Sequence, residues 1–250
     1  MIKLSLVGIG SGNPEHLTLE AIRVLESADV ILLPRKGDEK TELADLRRTI
    51  ARNVLKTNPR IVEFDYPVRD ANTPKYLDGV NTWHDALGAI WGQLIGEYAP
   101  DTGHVALMVW GDPSLYDSTL RIAERVIAQG IDVEVRVVPG ITSLQMLTAA
   151  HAIPLNSLGA PVQITTGRQL RDHGWPEGVD TVAVMLDGEC SFQSLQTEGF
   201  DIWWGAYVGM PDQLLMAGPL KDTGPKIVEA RAEARAKHGW IMDIYLIRKP

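Results

Sequence analysis

Four short segments combine glycine, proline, hydroxyl and carboxylate residues in a way that can bring backbone against a polar ligand. They are Gly8-Ile9-Gly10-Ser11-Gly12-Asn13-Pro14, Gly111-Asp112-Pro113-Ser114-Leu115-Tyr116, Pro139-Gly140-Ile141-Thr142-Ser143 and Tyr207-Val208-Gly209-Met210-Pro211. In the first, a glycine loop between a strand and a helix could hold a phosphate through backbone N–H groups. A dinucleotide site of that kind needs G-x-G-x-x-G and an acidic residue closing the second strand. Here Gly12 arrives one residue early, and the second strand closes on Pro34-Arg35-Lys36, which is basic. That disfavours NAD. An NADP-binding module, with Arg35 meeting a 2′-phosphate, stays open as an alternative. So does a structural reading, in which the glycines only let the first helix pack closely on the sheet.

The second segment follows an apolar run and precedes a helical pattern. Ligands of open α/β sheets bind outside the carboxyl ends of the strands, so Asp112 and the amides around it could hold a small polar group. The competing reading is a turn in which Asp112 caps the next helix. Thr142 and Ser143 offer hydroxyls where one half of the chain passes into the other, or cap a helix. Tyr116, Tyr66, His16 and Asp65 are candidate acid or base groups, each with a plain structural role as the rival reading.

The elements that must position these residues alternate. Residues 1–7 read as a strand. A helix follows from Pro14, with Asn13 as cap and Leu19, Ile22, Leu25 and Ala28 inward. Val30–Leu33 is a second strand closed by Pro34, which makes a βαβ unit and a parallel sheet. Helical patterns over 42–56 and 76–97, strands at 61–64, 105–110 and 133–138, and a helix around 120–127 continue the series. The second half reads as strands at 162–165, 181–186, 202–208, 213–217 and 240–247, with helices near 190–197 and 226–237. Strands in quick succession predict a mixed sheet. The boundary falls near Pro139, giving an N-terminal α/β domain over 1–138 and a C-terminal mixed α/β domain over 139–250, with the ligand cleft expected between them.

Composition narrows the function classes. The chain has 250 residues, 45% hydrophobic and 22% charged, as an ordinary globular protein does. A net charge of -8 argues against general nucleic-acid binding. No apolar run approaches the roughly 20 residues of a membrane span, and no signal peptide is read at the N-terminus. Cys190 is the single cysteine, so no internal disulfide forms, and a cytoplasmic location fits. The six histidines show no metal-ligand spacing, and no bound metal is predicted. In Trp203-Trp204 one ring should point inward and one outward; the outward one could serve a dimer interface.

Taken in order and spacing, the four segments resemble the tetrapyrrole (corrin/porphyrin) methylases, the class III fold of S-adenosylmethionine-dependent methyltransferases. The resemblance rests on Gly8 to Pro14 with Leu17-Thr18, on Gly111-Asp112-Pro113 and on Pro139 to Ser143, and it covers essentially the whole chain. Asn13 stands where the family more often has Asp. The stretches Leu43 to Arg48, Tyr66-Pro67-Val68-Arg69-Asp70 and His238 to Leu246 look like a branch that methylates precorrin-5 at C1 and releases a two-carbon unit as acetate.

The resemblance implies a two-domain fold with a mainly parallel N-terminal sheet. It implies S-adenosylmethionine as donor, a polycarboxylate tetrapyrrole substrate in cobalamin biosynthesis, and a homodimer. It assigns donor contacts to Gly111, Asp112, Pro113, Leu115, Thr142, Ser143, Met185, Leu186, Val208 and Gly209. The N-terminal loop, with Gly10 and Ser11, then faces the substrate. Arginine and lysine suit its carboxylates, and the candidates are Arg35, Lys36, Arg47 and Arg69, with Arg168 and Arg171 behind them. Arg47, Arg48 and Arg52 could instead form a solvated helix face. Because fold does not fix substrate, another precorrin, a protein or ribosomal RNA stays open as the acceptor. As a loop carboxylate, Asp112 is expected to matter to the donor and little to the fold.

Overall fold

The computed structural model describes residues 1–35, 41–68, 76–195 and 198–249. The chain divides into two compact units, Met1–Thr142 and Ser143–Pro250.

The first unit is built on a parallel sheet of five strands: β1 (Ile2–Gly8), β2 (Val30–Arg35), β3 (Arg60–Asp65), β4 (Gly103–Val109) and β5 (Val133–Val138), in the order β3-β2-β4-β1-β5. Four helices connect them: α1 (Leu19–Glu26), α2 (Thr41–Val54), α3 (Tyr76–Tyr98) and α4 (Thr119–Ala128). Helices cover both faces. Leu4, Leu6, Val105 and Leu107 point into one core with Leu87, Trp91 and Ile95 of α3 and Ile122 and Val126 of α4. Val7, Ile31, Ala106 and Met108 point into the other with Val24 and Leu25 of α1 and Ile50 of α2. Burial on both faces is why these strands read as nearly continuous apolar runs.

Several details differ from the sequence reading. Pro14 opens a separate 3₁₀ turn, Pro14–His16, capped by Asn13, whose Oδ1 accepts from the Glu15 N–H at 2.9 Å. The helix proper starts after Thr18, whose Oγ1 accepts from the Ala21 N–H at 3.0 Å. That start rotates the buried stripe to Ala21, Val24 and Leu25 and leaves Leu19 75% exposed. The second strand does not stop at Pro34. It runs on to Arg35, and Pro34 pairs with Phe64 of β3.

The second unit carries β6 (Val162–Thr166), β7 (Thr181–Met185), β8 (Asp201–Ala206), β9 (Leu214–Pro219) and β10 (Asp243–Arg248), in the order β6-β7-β10-β8-β9. β6 and β7 are parallel and the other pairs antiparallel, so the sheet is mixed as expected. Two helices beyond the sequence reading are α5 (Ser143–His151) and α6 (Gly167–His173); the helix near 190–197 is a short 3₁₀ turn at Ser191–Ser194. The last helix, α7 (Leu220–His238), starts earlier than the pattern predicted and contains Pro225. The two tryptophans of β8 alternate. Trp204 is fully buried, while Trp203 packs partly against the core shared with Leu144 and Leu147 of α5, with the Arg248 guanidinium 5.3 Å from its ring.

At the carboxyl edge of the first sheet three glycines meet. A Cβ on Gly8 would lie 2.7 Å from both the Gly111 carbonyl oxygen and the Gly140 nitrogen, and a Cβ on Gly140 would be driven into that same carbonyl. All the obstructing atoms are backbone, which cannot swing aside. Gly140→Ala is therefore expected to lower the Tm of the protein by at least about 4 °C, measured by differential scanning calorimetry. An unchanged Tm would contradict this packing.

Candidate functional site

Parallel strands deliver their carboxyl ends to one edge, so the first unit gathers its glycine segments there. Gly10 and Gly111 form an antiparallel bridge, with the Gly111 N–H donating to the Gly10 oxygen at 2.8 Å and the Gly10 N–H to the Gly111 oxygen at 3.4 Å. Both have positive φ, 76° and 63°, which glycine adopts without steric cost.

Asp112 then ties the second segment to the third. Its Oδ2 accepts from the Gly140 N–H at 2.9 Å, and its Oδ1 accepts from the Ser114 N–H at 2.8 Å and from the Ser114 hydroxyl. Burial alone would raise its pKa; these hydrogen bonds outweigh burial and hold the carboxyl below its ordinary value. The carboxylate thus shapes the loops of its own unit, more than the sequence reading allowed. The cap of α4 comes from Asp117, whose Oδ1 accepts from the Thr119 N–H at 2.7 Å and from the Thr119 hydroxyl. Pro113 and Leu115 follow in the same loop, and the Leu115 N–H donates to the Asp112 oxygen at 3.3 Å. Thr142 is buried beside Gly111.

In the second unit, β7 and β8 each run antiparallel to β10 and so end at the same edge. That brings together Met185 and Leu186 from one strand end and Val208 and Gly209 from the other. Ser143 opens α5, whose Leu144 and Leu147 share a core with Met185 and Val208. The Gly209 N–H donates to Gln213 Oε1 at 2.8 Å.

Left-handed backbone at non-glycine residues recurs at these strand ends. Tyr116 (φ 49°), Leu186 (φ 52°) and Tyr207 (φ 50°) each lie in or beside a candidate segment. Such conformations cost about 1–3 kcal/mol each and persist only where the surroundings impose them. For Leu186 the imposing structure is visible. Its neighbour Asp187 is buried and accepts from Ser191 N–H (2.6 Å), Ser191 hydroxyl (2.9 Å), Glu189 N–H (3.0 Å) and Tyr245 hydroxyl (2.7 Å). The Asp187 carbonyl accepts from Arg231, which pairs with Asp243 at 2.9 Å, and Asp243 also accepts from Trp204 Nε1. Burial pushes the Tyr245 hydroxyl pKa far upward, with the Asp187 charge adding to it, so the phenol stays a hydrogen-bond donor. Leu186 itself is 67% exposed, an apolar side chain held out by a rigid base. The sequence reading missed Asp187; its signal was an acidic residue between an apolar strand end and a glycine.

The basic and acid–base candidates separate clearly. Arg35 is paired with Asp65 at 3.0 Å and approaches Glu63 at 3.8 Å, so its charge is already met locally. Arg48 binds both oxygens of Glu63, at 2.6 and 2.9 Å, and Asp45. Arg171 pairs with Glu189 and Asp172, and Arg168 is exposed on α6. Lys36 and Arg69 lie outside the described residues. Arg47 differs: its Nε donates to the Met108 carbonyl at 3.3 Å, and its guanidinium sits 4.9 Å from the Trp110 ring. Desolvation depresses its pKa to about 10, against the opposing influence of nearby Tyr66 and Asp117. Burial raises Tyr66 to about 12, and partial burial raises Tyr116. His16 is lowered by desolvation, and its Nδ1 is buried without a hydrogen-bond partner. Asp65 is engaged by Arg35 at the surface. Among the described residues no cluster of three or more His, Cys, Asp or Glu could hold a metal, and no helix is long and apolar enough to cross a membrane.

Comparison with known proteins gives a consistent result. The profile of the tetrapyrrole (corrin/porphyrin) methylases matches residues 3–224. A precorrin-6A synthase [deacetylating] from Sinorhizobium sp is 50% identical over 251 residues, covering 100% of this chain and 96% of that protein. The crystal structure of a cobalamin synthesis related protein (CobF) from Corynebacterium diphtheriae superposes with a TM-score of 0.83 at 38% identity, covering 100% of this chain and 99% of that one. A uroporphyrin-III C-methyl transferase from Thermus thermophilus, solved with S-adenosylhomocysteine, shares the fold at 20% identity and a TM-score of 0.61, covering 98% and 97%.

Asp112→Ala is expected to lower the Tm by about 2–8 °C near pH 7, because it leaves the Gly140 and Ser114 N–H groups unpaired. The depressed pKa fixes the sign of the pH dependence. The carboxylate's contribution is complete above its unfolded pKa and is lost as pH falls through the lower folded value. Thermal melts of variant and wild type should therefore converge as the pH drops below 3.8, the ordinary value. A gap that widens on acidification would refute this role.

Proposed function

The chain belongs to the tetrapyrrole (corrin/porphyrin) methylase family, and on that premise we propose that it is a methyltransferase of cobalamin biosynthesis that converts precorrin-5 to precorrin-6A. A methyl group passes from the sulfonium of S-adenosylmethionine to ring carbon C1. Water then takes the extruded two-carbon unit off as acetate, and S-adenosylhomocysteine leaves. The observation that carries this reading is the 50% identity, over the full chain, to a relative named for the deacetylating reaction.

The residues suit the donor. Bound, it supplies an already activated methyl group, so no protein group has to activate the leaving sulfur. What the chain must do is hold the reactants at near-attack distance. We assign donor contacts to Gly111, Asp112, Pro113, Leu115 and Thr142 of the first unit and to Ser143, Met185, Leu186, Val208 and Gly209 of the second. Leu186 supports this assignment: an exposed apolar side chain on strained backbone, braced from beneath by Asp187, suits the flat face of a ring such as adenine.

Gly10, Ser11 and Arg47 are assigned to the substrate. Arg35 is the weaker candidate, because Asp65 and Glu63 already meet its charge. Tyr66 keeps its proton through the neutral range, so it serves as a hydrogen-bond donor rather than a base. His16 is kept neutral by burial and has an unpartnered Nδ1, so it is the better-suited proton acceptor.

Calorimetric titration should give micromolar-range binding of S-adenosylhomocysteine. Incubation with precorrin-5 and methyl-labelled donor should yield a labelled tetrapyrrole and free acetate. If the protein binds neither S-adenosylmethionine nor S-adenosylhomocysteine, the reading fails. If it binds them but label reaches only a macromolecule, the substrate half fails.

A further inference from the structure

The Gly10–Gly111 bridge has a geometric consequence. Ser11 follows Gly10 and Trp110 precedes Gly111, so the bridge brings the two residues to one corner of the sheet edge.

Both side chains end in a buried polar atom without a hydrogen-bond partner, Ser11 Oγ and Trp110 Nε1, and Ser11 is only 9% exposed. An indole N–H can only donate, and a hydroxyl donates readily. Buried donors left unmatched are uncommon and costly, at about 1–3 kcal/mol each.

Arg47 completes the corner. Its guanidinium lies 4.9 Å from the Trp110 ring centroid, and its Nε is fixed by the Met108 carbonyl. The planar fork beyond Nε suits an acceptor with two oxygens. Asp117 reaches Arg47 with its charge, but its Oδ1 is engaged by Thr119. Tyr66, from the end of β3, adds a neutral phenol beside the same guanidinium.

We infer that Trp110 Nε1, Ser11 Oγ and the Arg47 guanidinium form a subsite for a single carboxylate, which holds one acidic side chain of the tetrapyrrole and sets the ring's orientation at the edge of the first sheet. The inference rests on the proposed function for the source of that carboxylate. Its geometry stands on the first unit alone. Two carboxylate oxygens match a guanidinium fork and leave lone pairs for an indole N–H and a hydroxyl. A neutral or cationic ligand would give the Arg47 fork no matching acceptor.

The test uses Trp110→Phe, which keeps the ring under Arg47 and removes the N–H, and Ser11→Ala, which removes the hydroxyl. Each should raise the KM for precorrin-5 about tenfold, the size of one charge-assisted hydrogen bond. Each should leave S-adenosylhomocysteine affinity within error. Arg47→Lys keeps the charge but loses the planar fork, and should raise the KM further than either. Wild-type KM in Trp110→Phe and Ser11→Ala, with precorrin-5 still turned over by the parent, overturns the subsite and leaves the proposed function intact. A loss of S-adenosylhomocysteine affinity in the same variants also overturns it, by placing the corner on the donor side. Failure of the wild-type protein to act on precorrin-5 removes the proposed function and this inference together.

Discussion

The edge of the first sheet depends on backbone meeting backbone. Gly8, Gly111 and Gly140 come from the ends of three adjacent strands and approach so closely that a Cβ on Gly8 or Gly140 would collide with backbone. Close approach permits the Gly10–Gly111 bridge and places Gly140 within reach of the Asp112 carboxylate. Three loops that would otherwise fray separately are joined into one surface. The polar groups of that surface are held by main-chain geometry, which has far fewer soft degrees of freedom than long side chains do. Sites that must align a carbon nucleophile with a methyl group benefit from such rigidity.

The second unit reaches a similar end differently. There the strand ends carry Leu186 and Tyr207, which have to be forced into left-handed backbone. The force comes from side chains beneath. Asp187 is satisfied by Ser191, Glu189 and Tyr245, and the Arg231–Asp243 pair locks the loop carbonyls. A buried ion pair contributes little net stability on its own and costs about 3–5 kcal/mol when one partner is removed. Its value here is geometric, because Arg231 spans from Asp243 to the carbonyls of Asp187 and Gly188.

Much of this was legible in the sequence, for identifiable reasons. The parallel strands are apolar on both faces and bounded by glycine and proline, and the glycine segments stand at strand ends where they must. Leu19 misled because a 3₁₀ turn at Pro14–His16 delayed the helix and rotated its inward face. Pro34 looked like a terminator, yet β2 continues through it, pairing with β3 as far as Arg35 and Asp65. Arg35 read as a free cation because its partner, Asp65, lies on another strand. Trp110 and Ser11 come to one corner only through a bridge between distant loops. Asp187 depends on Tyr245 and Arg231, far along the chain, which no local pattern announces. What the sequence withheld is what long-range pairing decides.

The strand order of the second sheet bears on how the protein is made. β10 sits at the centre, between β7 and β8, yet it follows both of them in the sequence. During synthesis the first sheet has all five of its strands by Val138 and can fold while the rest is still emerging. The second sheet has to wait. Until β10 arrives, β7 and β8 each present an unpaired edge, the kind of surface that invites pairing with another nascent chain. Closing that gap sets Tyr245 against Val184 on one side and Trp204 on the other, so the second sheet becomes continuous only when its last strand is in place.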